Sequence, residues 1–378
     1  MADMTHRERV LAALNHRQPD RVPVDLGATR STSIVVQAYE RLNRHLGSTE
    51  PPRIFSKWLN IAHPSQAMLQ RFDIDTRSVG QGGPDGWRDI VFPDDSYQDE
   101  WGVVRSRPAG CLYYDLTKSP FAGETSAADL DRHPWPDPHD PGRCRGLKAE
   151  ARRLRQETDY AIALNMPGGV VTQAQFLRGF EDWFADLIAD PTFYHALLER
   201  ITDLWIEMAK DELDAAGDCA DFCFFGDDVA FQDGPMMSME LYRKMVKPYH
   251  ARVFSYIKSR SSAKILYHTC GSVAHLIPDL IELGVDALNP VQVSAKGMDT
   301  KMLKREFGKD ICFWGGIDTQ RVLPFGSPAD VAAETKRRIE DLGPGGGYVL
   351  CAVHNLQADV SPENICAMYD TARQHGQR

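Results

Sequence analysis

Residues 263–272 read AKILYHTCGS, a short apolar run that ends in a histidine and a cysteine. A run of this length, followed by glycine and serine, is typical of a buried strand that leads into a loop. The next residues, 273–283, carry apolar side chains at helical spacing. A strand followed in this way by a helix predicts a βα unit of a parallel sheet.

The same alternation continues on both sides of this segment. We predict strands at 22–26, 75–79, 160–165, 221–225, 263–267, 286–289, 311–314 and 348–352. The predicted helices include 173–189, 239–257, 273–283 and 330–342, and a first helix begins at a capping box of Thr5 and Glu8. Eight such units favour a closed (β/α)8 TIM-type barrel over an open α/β sheet. We therefore expect one barrel domain over residues 1–378.

Residues 80–158 interrupt the alternation. They contain glycine-rich and acidic turns, a proline-rich stretch at 134–138 and several aromatic residues. This composition predicts a loop-rich insertion with a small hairpin. Loops of this length usually serve a function, and here we expect either a lid or a docking surface for a partner.

Charge and hydropathy exclude several classes of protein. The net charge is −10 and the isoelectric point about 5.7, so the chain lacks the basic surface that binds nucleic acid or an anionic membrane. Its apolar runs are shorter than the ~20 residues of a membrane helix, and the polar N-terminus does not read as a signal peptide. We expect a cytoplasmic protein whose eight cysteines form no disulfide framework.

The predicted site follows from the fold, because the active site of such a barrel lies at the carboxyl ends of its strands. The residues at or just beyond the predicted strand ends are mostly polar. They are Asn165, Asp227, Asp228, His268, Cys270, Asn289, Gln292, Asp318, Cys351 and His354. The substrate contacts that we predict among them are Asn165, Asn289, Gln292 and Asp318.

His268 and Cys270 are predicted to bind a metal ion. Residues two apart in an extended segment point to the same face, so one cation can take both the imidazole and the thiolate. The soft sulfur ligand favours zinc over magnesium or calcium. A lone pair of this kind is more often a packed histidine and cysteine, but two further histidine or cysteine residues converge on the same end of the barrel.

The third metal ligand stays open between Cys351 and His354. Cys351 lies within the last predicted strand, where it is either a ligand or a buried thiol. His354 lies three residues further, towards the mouth of the barrel, where it is a ligand, a catalytic group or a substrate contact.

Asp227 and Asp228 follow the apolar strand at 221–225. Carboxylates are costly to bury in such a place without a partner. The functional interpretation is a general acid or base, a cation contact or a further ligand. The structural interpretation is that one of them caps the next helix.

Taken together, several segments resemble the uroporphyrinogen decarboxylase superfamily over nearly the whole chain. They are RERVLAAL at 7–14, PDRVPV at 19–24, HTCGSV at 268–273, GGID at 315–318, HNLQ at 354–357 and SPEN at 361–364. True decarboxylases of this family also carry an Arg-Gln-Ala-Gly-Arg tract after the first strand, where this chain reads GATRS at 27–31. It keeps Arg30, which the resemblance makes a substrate contact, but an acidic tetrapyrrole would need more cationic partners.

The resemblance is closer to the branch of zinc methyltransferases. These proteins carry His-x-Cys and a distant cysteine, and His354 stands in this chain where that cysteine is expected. The branch implies an enzyme that moves a methyl group between a corrinoid protein and a small thiol, methoxy or methylamine compound, with Asp227, Asp228 and His354 as candidate catalytic residues. A separate corrinoid protein is implied as the partner, and the oligomeric state, for which a homodimer is one option, stays open. The alternatives are a cofactor-free decarboxylase and a non-catalytic corrinoid-binding subunit.

Overall fold

The computed structural model describes residues 3–375. Its strands are β1 (Ile34–Val35), β2 (Arg53–Ser56), β3 (Ile61–His63), β4 (Thr76–Gly80), β5 (Ile90–Val91), β6 (Tyr97–Gln98), β7 (Val104–Ser106), β8 (Asp115–Lys118), β9 (Ala161–Asn165), β10 (Phe222–Gly226), β11 (Lys264–His268), β12 (Ala287–Val291), β13 (Cys312–Ile317) and β14 (Tyr348–Ala352). Its α-helices are α1 (His6–Leu14), α2 (Val36–His45), α3 (Gln66–Arg71), α4 (Ala127–Arg132), α5 (Leu147–Glu157), α6 (Val170–Arg178), α7 (Phe180–Ala189), α8 (Pro191–Ala216), α9 (Met239–Met245), α10 (Lys247–Arg260), α11 (Ile277–Glu282), α12 (Thr300–Phe307), α13 (Val322–Phe325), α14 (Pro328–Leu342) and α15 (Pro362–His375).

Seven parallel strands form the central sheet, in the order β4-β9-β10-β11-β12-β13-β14. The gap between its two edge strands is closed by the predicted first strand. There Val24 forms a parallel bridge with Leu350 of β14, and its carbonyl accepts a hydrogen bond from the N–H of Asp75, next to β4, at 3.0 Å. The predicted (β/α)8 barrel is confirmed.

The predicted strand at 22–26 is reduced to these bridges. Pro23 has no N–H to donate, so a regular ladder cannot form around it. The N–H of Asp25 still donates to the Leu350 carbonyl at 3.0 Å, and Val22, Val24 and Leu26 are buried. The segment therefore completes the barrel by packing more than by pairing.

The barrel interior is a packed core of its own. Fully buried Phe222, Leu266, Trp314 and Cys351 point into it from β10, β11, β13 and β14. Helix α1, which begins at the predicted capping box of Thr5 and Glu8, covers the amino-terminal end with Val10 and Leu14. Polar residues are thereby left to the opposite, carboxyl-terminal end of the barrel.

The helices differ from the prediction in three places. The predicted helix at 173–189 is two helices, α6 and α7, because Gly179 breaks it with a φ of +86°. The predicted helix at 239–257 is likewise divided into α9 and α10 at Val246. The 26-residue α8 was not predicted, although Leu197, Ile201 and Trp205 on its buried face have helical spacing.

The segment that we predicted as an insertion contains a four-stranded antiparallel sheet in the order β5-β6-β7-β8, followed by α4. Its last helix, α5, precedes β9 and packs on the barrel through buried Leu147, Ala151 and Leu154. Among the helices of residues 3–375, none combines the length and apolarity needed to cross a bilayer.

Candidate metal site and substrate cavity

A cavity of about 1120 Å³ opens at the carboxyl-terminal end of the barrel. Ligand cavities usually measure about 300–1,000 Å³, so this one has room for more than a small molecule. The barrel and the segment at 80–158 both contribute to its wall. Barrel residues at the wall include Arg30, Trp205, Phe224, Asp228, His268 and His354, and residues from the other segment include Trp87, Trp101, Arg105 and Arg143.

Three side chains with metal-binding atoms meet beside this cavity, and two of them, His268 and His354, line it. His268 is the last residue of β11, Cys270 follows in the next loop, and His354 follows β14. One ligand atom from each lies within 4.8 Å of the other two. Cys270 Sγ and His268 Nε2 are 3.5 Å apart, and the two imidazole centroids are separated by 5.4 Å. Two nitrogens and one sulfur at this spacing suit zinc.

Asn289, on the neighbouring strand β12, fixes the orientation of His268. The Asn289 Nδ2 donates to the carbonyl of Trp314 at 3.3 Å, which turns its Oδ1 towards His268 Nδ1 at 2.6 Å. In this arrangement the histidine donates from Nδ1, and the lone pair of Nε2 points towards Cys270. A carbonyl-type partner of this kind is usual behind a metal-binding histidine.

The loop that carries Cys270 is held by its backbone. The Cys270 N–H donates to Asp228 Oδ1 at 2.7 Å, and the Gly271 N–H donates to Gln292 Oε1 at 2.6 Å. Gly271 has a φ of +100°, and a Cβ there would lie 2.6 Å from the Phe231 carbonyl oxygen. The turn after the cysteine therefore requires glycine.

Burial disfavours charge on both Cys270 and His354. Burial and the nearby Asp228 carboxylate raise the pKa of the Cys270 thiol well above its usual value. Burial, with His268 beside it, lowers the pKa of His354 to about 3. His354 is therefore a neutral imidazole, as a metal ligand must be, and a thiolate at Cys270 calls for a compensating cation.

The structure brings His354 rather than Cys351 to the other two ligands. Cys351 lies on β14 and faces the barrel interior among Leu266, Ala287 and Trp314. Burial, with Asp25 nearby, raises the pKa of its thiol well above the usual value. Cys351 thus has the environment of a buried structural thiol.

The two neighbouring aspartates have different surroundings. Both carboxylate oxygens of Asp227 are engaged: they accept hydrogen bonds from the N–H groups of Val171 and Thr172 at 3.0 and 2.7 Å, and one contacts His250 Nε2 at 3.0 Å. Asp227 thus caps the first turn of α6. Asp228 is half-exposed, and its Oδ1 lies 3.9 Å from His268 Nε2.

Of the five predicted substrate contacts, Arg30 lines the cavity. Asn289 and Gln292 support His268 and the Cys270 loop, as described above. Asn165 donates to the Ala28 carbonyl at 2.9 Å, and Asp318 accepts from the Gln320 N–H at 2.7 Å. These four side chains hold backbone or ligand side chains in position.

Several cavity residues were not predicted from the sequence. They come from α6, from the middle of α8, and from the segment at 80–158, and include Gln173, Phe176, Trp205, Trp87, Arg105 and Arg143. The aromatic residues of 80–158 are evident in the sequence, but their position over the barrel mouth is set by tertiary contacts. The helical spacing of α8 could have placed Trp205 on a buried face.

Comparison with known proteins gives a family and a fold. The family model described as "Uroporphyrinogen decarboxylase (URO-D)" matches residues 114–375. A methyltransferase structure from Methanosarcina mazei superposes with a TM-score of 0.68 at 19% identity, over 98% of this chain and 99% of that one. At this identity the likeness supports the fold alone.

The curated relatives include proteins of two activities. A methylated-thiol–coenzyme M methyltransferase of Methanosarcina mazei is 27% identical over 54% of this chain and 53% of its own length. A uroporphyrinogen decarboxylase of Alkalilimnicola ehrlichii is 23% identical over 66% of this chain and 67% of its own length. The alignments thus span about half to two thirds of these relatives.

Proposed function

The chain belongs to the uroporphyrinogen decarboxylase family, and we propose that it is a methyltransferase that uses zinc and a corrinoid protein. The second substrate is a small thiol, methoxy or methylamine compound. The observation that carries the proposal is the convergence of His268, Cys270 and His354 within 4.8 Å at the wall of a large cavity. The similarity to a methylated-thiol–coenzyme M methyltransferase supports it.

His268, Cys270 and His354 would hold a zinc ion with three protein ligands, the number that catalytic zinc sites use when substrate takes the fourth position. Zinc held in this way would act as a Lewis acid that lowers the pKa of a thiol or withdraws charge from a leaving oxygen. Asn289 keeps the Nε2 lone pair of His268 directed at the site. Cys270, whose pKa is raised by burial, is held by the Asp228 carboxylate through its backbone N–H.

Asp228 is the residue that we propose for proton transfer. It lines the cavity and is half-exposed. Its Oδ1 lies 3.9 Å from His268 Nε2, so the carboxylate is beside the three metal-binding side chains. Its carboxylate can accept a proton from a thiol or return one to a leaving oxygen. Asp227, by contrast, is a positioning residue, because its oxygens hold the first turn of α6, which carries Thr172 and Gln173 into the cavity wall.

We propose residues 80–158 as the docking surface for the corrinoid protein. The edge strand β5 and the residue after it expose Ile90, Val91 and Phe92, directly beyond Trp87 and Asp89 at the cavity wall. An exposed apolar strand edge is the kind of feature that partner proteins cover. The cavity volume of about 1120 Å³ leaves space for a corrinoid face above a small substrate.

A cofactor-free decarboxylase is the second candidate, favoured by the decarboxylase relatives and the large cavity. A tetrapyrrole with several acidic side chains needs several available cations. Arg105 and Arg143 at the cavity are already paired with Asp99 and Glu100. That leaves the interior of the cavity short of free cationic partners for such a substrate.

Metal analysis with activity assays tests the proposal. We expect purified protein supplied with zinc to hold about one ion per chain, and Cys270→Ser or His268→Ala to lose both the ion and methyl transfer to a corrinoid protein. Cys366→Ser, a partly buried cysteine of α15, is the matched control and should keep both. Turnover by metal-free protein would favour the decarboxylase, and full function of both variants would favour a non-catalytic corrinoid-binding subunit.

A further inference from the structure

The wall of the cavity is unusually rich in aromatic rings. Trp58, Trp87, Trp101, Phe176, Trp205 and Phe224 all contribute to it. The rings of Trp101 and Trp205 lie 4.8 Å apart at an interplanar angle of 51°. A small aliphatic thiol needs no such surface, whereas a planar aromatic ligand gains offset-stacked or edge-to-face contacts from it.

Cations of the protein already occupy several of these aromatic faces. Arg105 Cζ lies 4.9 Å from the Phe176 centroid and 5.5 Å from that of Trp58. Arg30 Cζ lies 5.8 Å from the centroid of Phe224. A methylated ammonium ligand would seek the same faces and meet positive charge there. The arrangement disfavours a methylamine substrate.

The buried polar atoms at the wall without a protein partner are mostly hydrogen-bond donors. Within the described part of the chain, Trp87 Nε1, Gln173 Nε2 and Arg105 Nε are donors of this kind, and Gln81 Oε1 is an acceptor. Buried donors without partners are costly. A ligand that brings several acceptor oxygens would satisfy them.

Arg30 supplies a positive charge at the cavity wall; the Glu212 carboxyl acts on it electrostatically, but burial raises the pKa of Glu212 to about 8 and so favours its neutral form. Its guanidinium donates to the Met166 carbonyl, and within residues 3–375 no carboxylate lies within 4.0 Å of it. The Phe224 ring connects the two ends of the site, because its centroid is 5.8 Å from Arg30 Cζ and 6.0 Å from the His268 centroid. A ligand anchored by an anion at Arg30 can therefore cross Phe224 and present its other end to His268.

We propose that the methyl donor is a methoxylated aromatic carboxylate, with its carboxylate at Arg30 and its methoxy oxygen at the cluster of His268, Cys270 and His354. The substrate class rests on the methyl transfer proposed above. In the reaction the bond between oxygen and methyl carbon would break, and the methyl group would pass to a reduced corrinoid held by the partner, which would supply the electron pair for the new bond to carbon. The pair of the broken bond stays on oxygen, and the resulting phenolate takes a proton.

Binding measurements on the full chain test this substrate class without the partner or turnover. The probes are 3-methoxybenzoate, methoxybenzene, phenyltrimethylammonium and 2-mercaptoethanol, titrated against zinc-loaded protein by calorimetry. We expect 3-methoxybenzoate to bind about tenfold more tightly than each of the others, the size of one charge-assisted contact. Tighter binding of the ammonium compound or the thiol would overturn the proposal.

The Arg30→Gln variant tests the anchor. It should lower the affinity for 3-methoxybenzoate about tenfold and leave the affinity for methoxybenzene unchanged. The unchanged affinity for methoxybenzene would also show that the variant is folded. Arg44→Gln, at an exposed arginine of α2, is the control and should change neither. Equal loss for both ligands in Arg30→Gln would contradict the carboxylate contact. If the carboxylate binds through Arg30 but no methyl group leaves it when reduced corrinoid protein is added, the methyltransferase proposal fails and the ligand site stands.

Discussion

Asn289 shows how one residue on a neighbouring strand controls the metal site. It contacts His268 Nδ1 through its Oδ1 at 2.6 Å and thereby fixes which imidazole nitrogen faces Cys270. The sequence placed Asn289 at a strand end and predicted a substrate contact. Its side-chain hydrogen bonds support a different role, that of orienting the histidine, because they direct its Oδ1 to His268 and its Nδ2 to the Trp314 carbonyl, and Asn289 is not among the residues that line the cavity.

We predict that Asn289→Ala lowers zinc affinity about 10–100-fold, the usual effect of removing the partner of a metal-binding histidine. Competition with a chelator measures the change. The control is Asn364→Ala, which removes another buried amide that donates to the carbonyls of Leu323 and Gly326. Both variants should lose a similar free energy of unfolding, about 1–3 kcal/mol. An equal loss of zinc affinity in the control would refute an orienting role for Asn289.

At the level of elements, the junction between α6 and α7 decides where part of the cavity wall lies. Apolar spacing at 173–189 predicts one helix, and the structure has two because Gly179 adopts φ +86° and ψ 144°. Since residues that carry a Cβ rarely adopt this backbone conformation, the break between the two helices depends on glycine. It separates the turn that carries Gln173 and Phe176 from the acidic first turn of α7.

Gly179→Ala should lower the free energy of unfolding by about 1–3 kcal/mol, because the added Cβ strains this backbone conformation. The nearest side-chain atom to that Cβ would be Ser119 Oγ at 3.5 Å, so the loss comes from the backbone rather than from a clash. Gly234→Ala, at a glycine with ordinary φ and open space, is the control and should change stability little. Urea unfolding of both variants measures the difference, and equal stability of the two would argue against strain at Gly179.

At the level of the whole molecule, one buried carboxylate ties the ends of the sheet together. Asp75, just before β4, accepts hydrogen bonds from Arg9 and Arg21 at 2.7 Å and from the N–H of Val24 at 2.7 Å. Val24 in turn bridges to β14. Asp75 thus connects α1, the irregular first strand and β4, where the barrel closes without a regular ladder.

We predict that Asp75→Asn lowers the free energy of unfolding by about 1.5–3 kcal/mol, because Arg9 and Arg21 lose the buried carboxylate that they share and keep only the less buried Asp20 and Asp73 as charge partners. Asp370→Asn, which breaks the more exposed pair with Arg71, is the control and should lose less than about 1 kcal/mol.

Burial alone would raise the pKa of Asp75, but His6 and the two arginines keep it below the usual value. The stabilisation is therefore present above the unfolded-state pKa and is lost as the pH falls through the folded-state pKa. Because other carboxylates such as Asp20 and Asp286 also have a lowered pKa, unfolding curves from neutral to acid pH should fall with pH in both proteins, and more steeply in the wild-type protein than in Asp75→Asn.

The sequence alone determined the barrel and the first two members of the candidate metal cluster. Strand and helix periodicity are local properties, and His268 and Cys270 lie two residues apart at the end of one predicted strand. Only the tertiary structure could choose His354 over Cys351, because the choice depends on where two side chains point relative to β11: that of Cys351 on β14 and that of His354 beyond the end of β14. It also decided that Asn289, Gln292 and Asp227 hold other groups in place, and it brought Arg30 and the aromatic residues of 80–158 to one cavity. These residues are far apart in the chain, and the closure of the barrel is what brings them together.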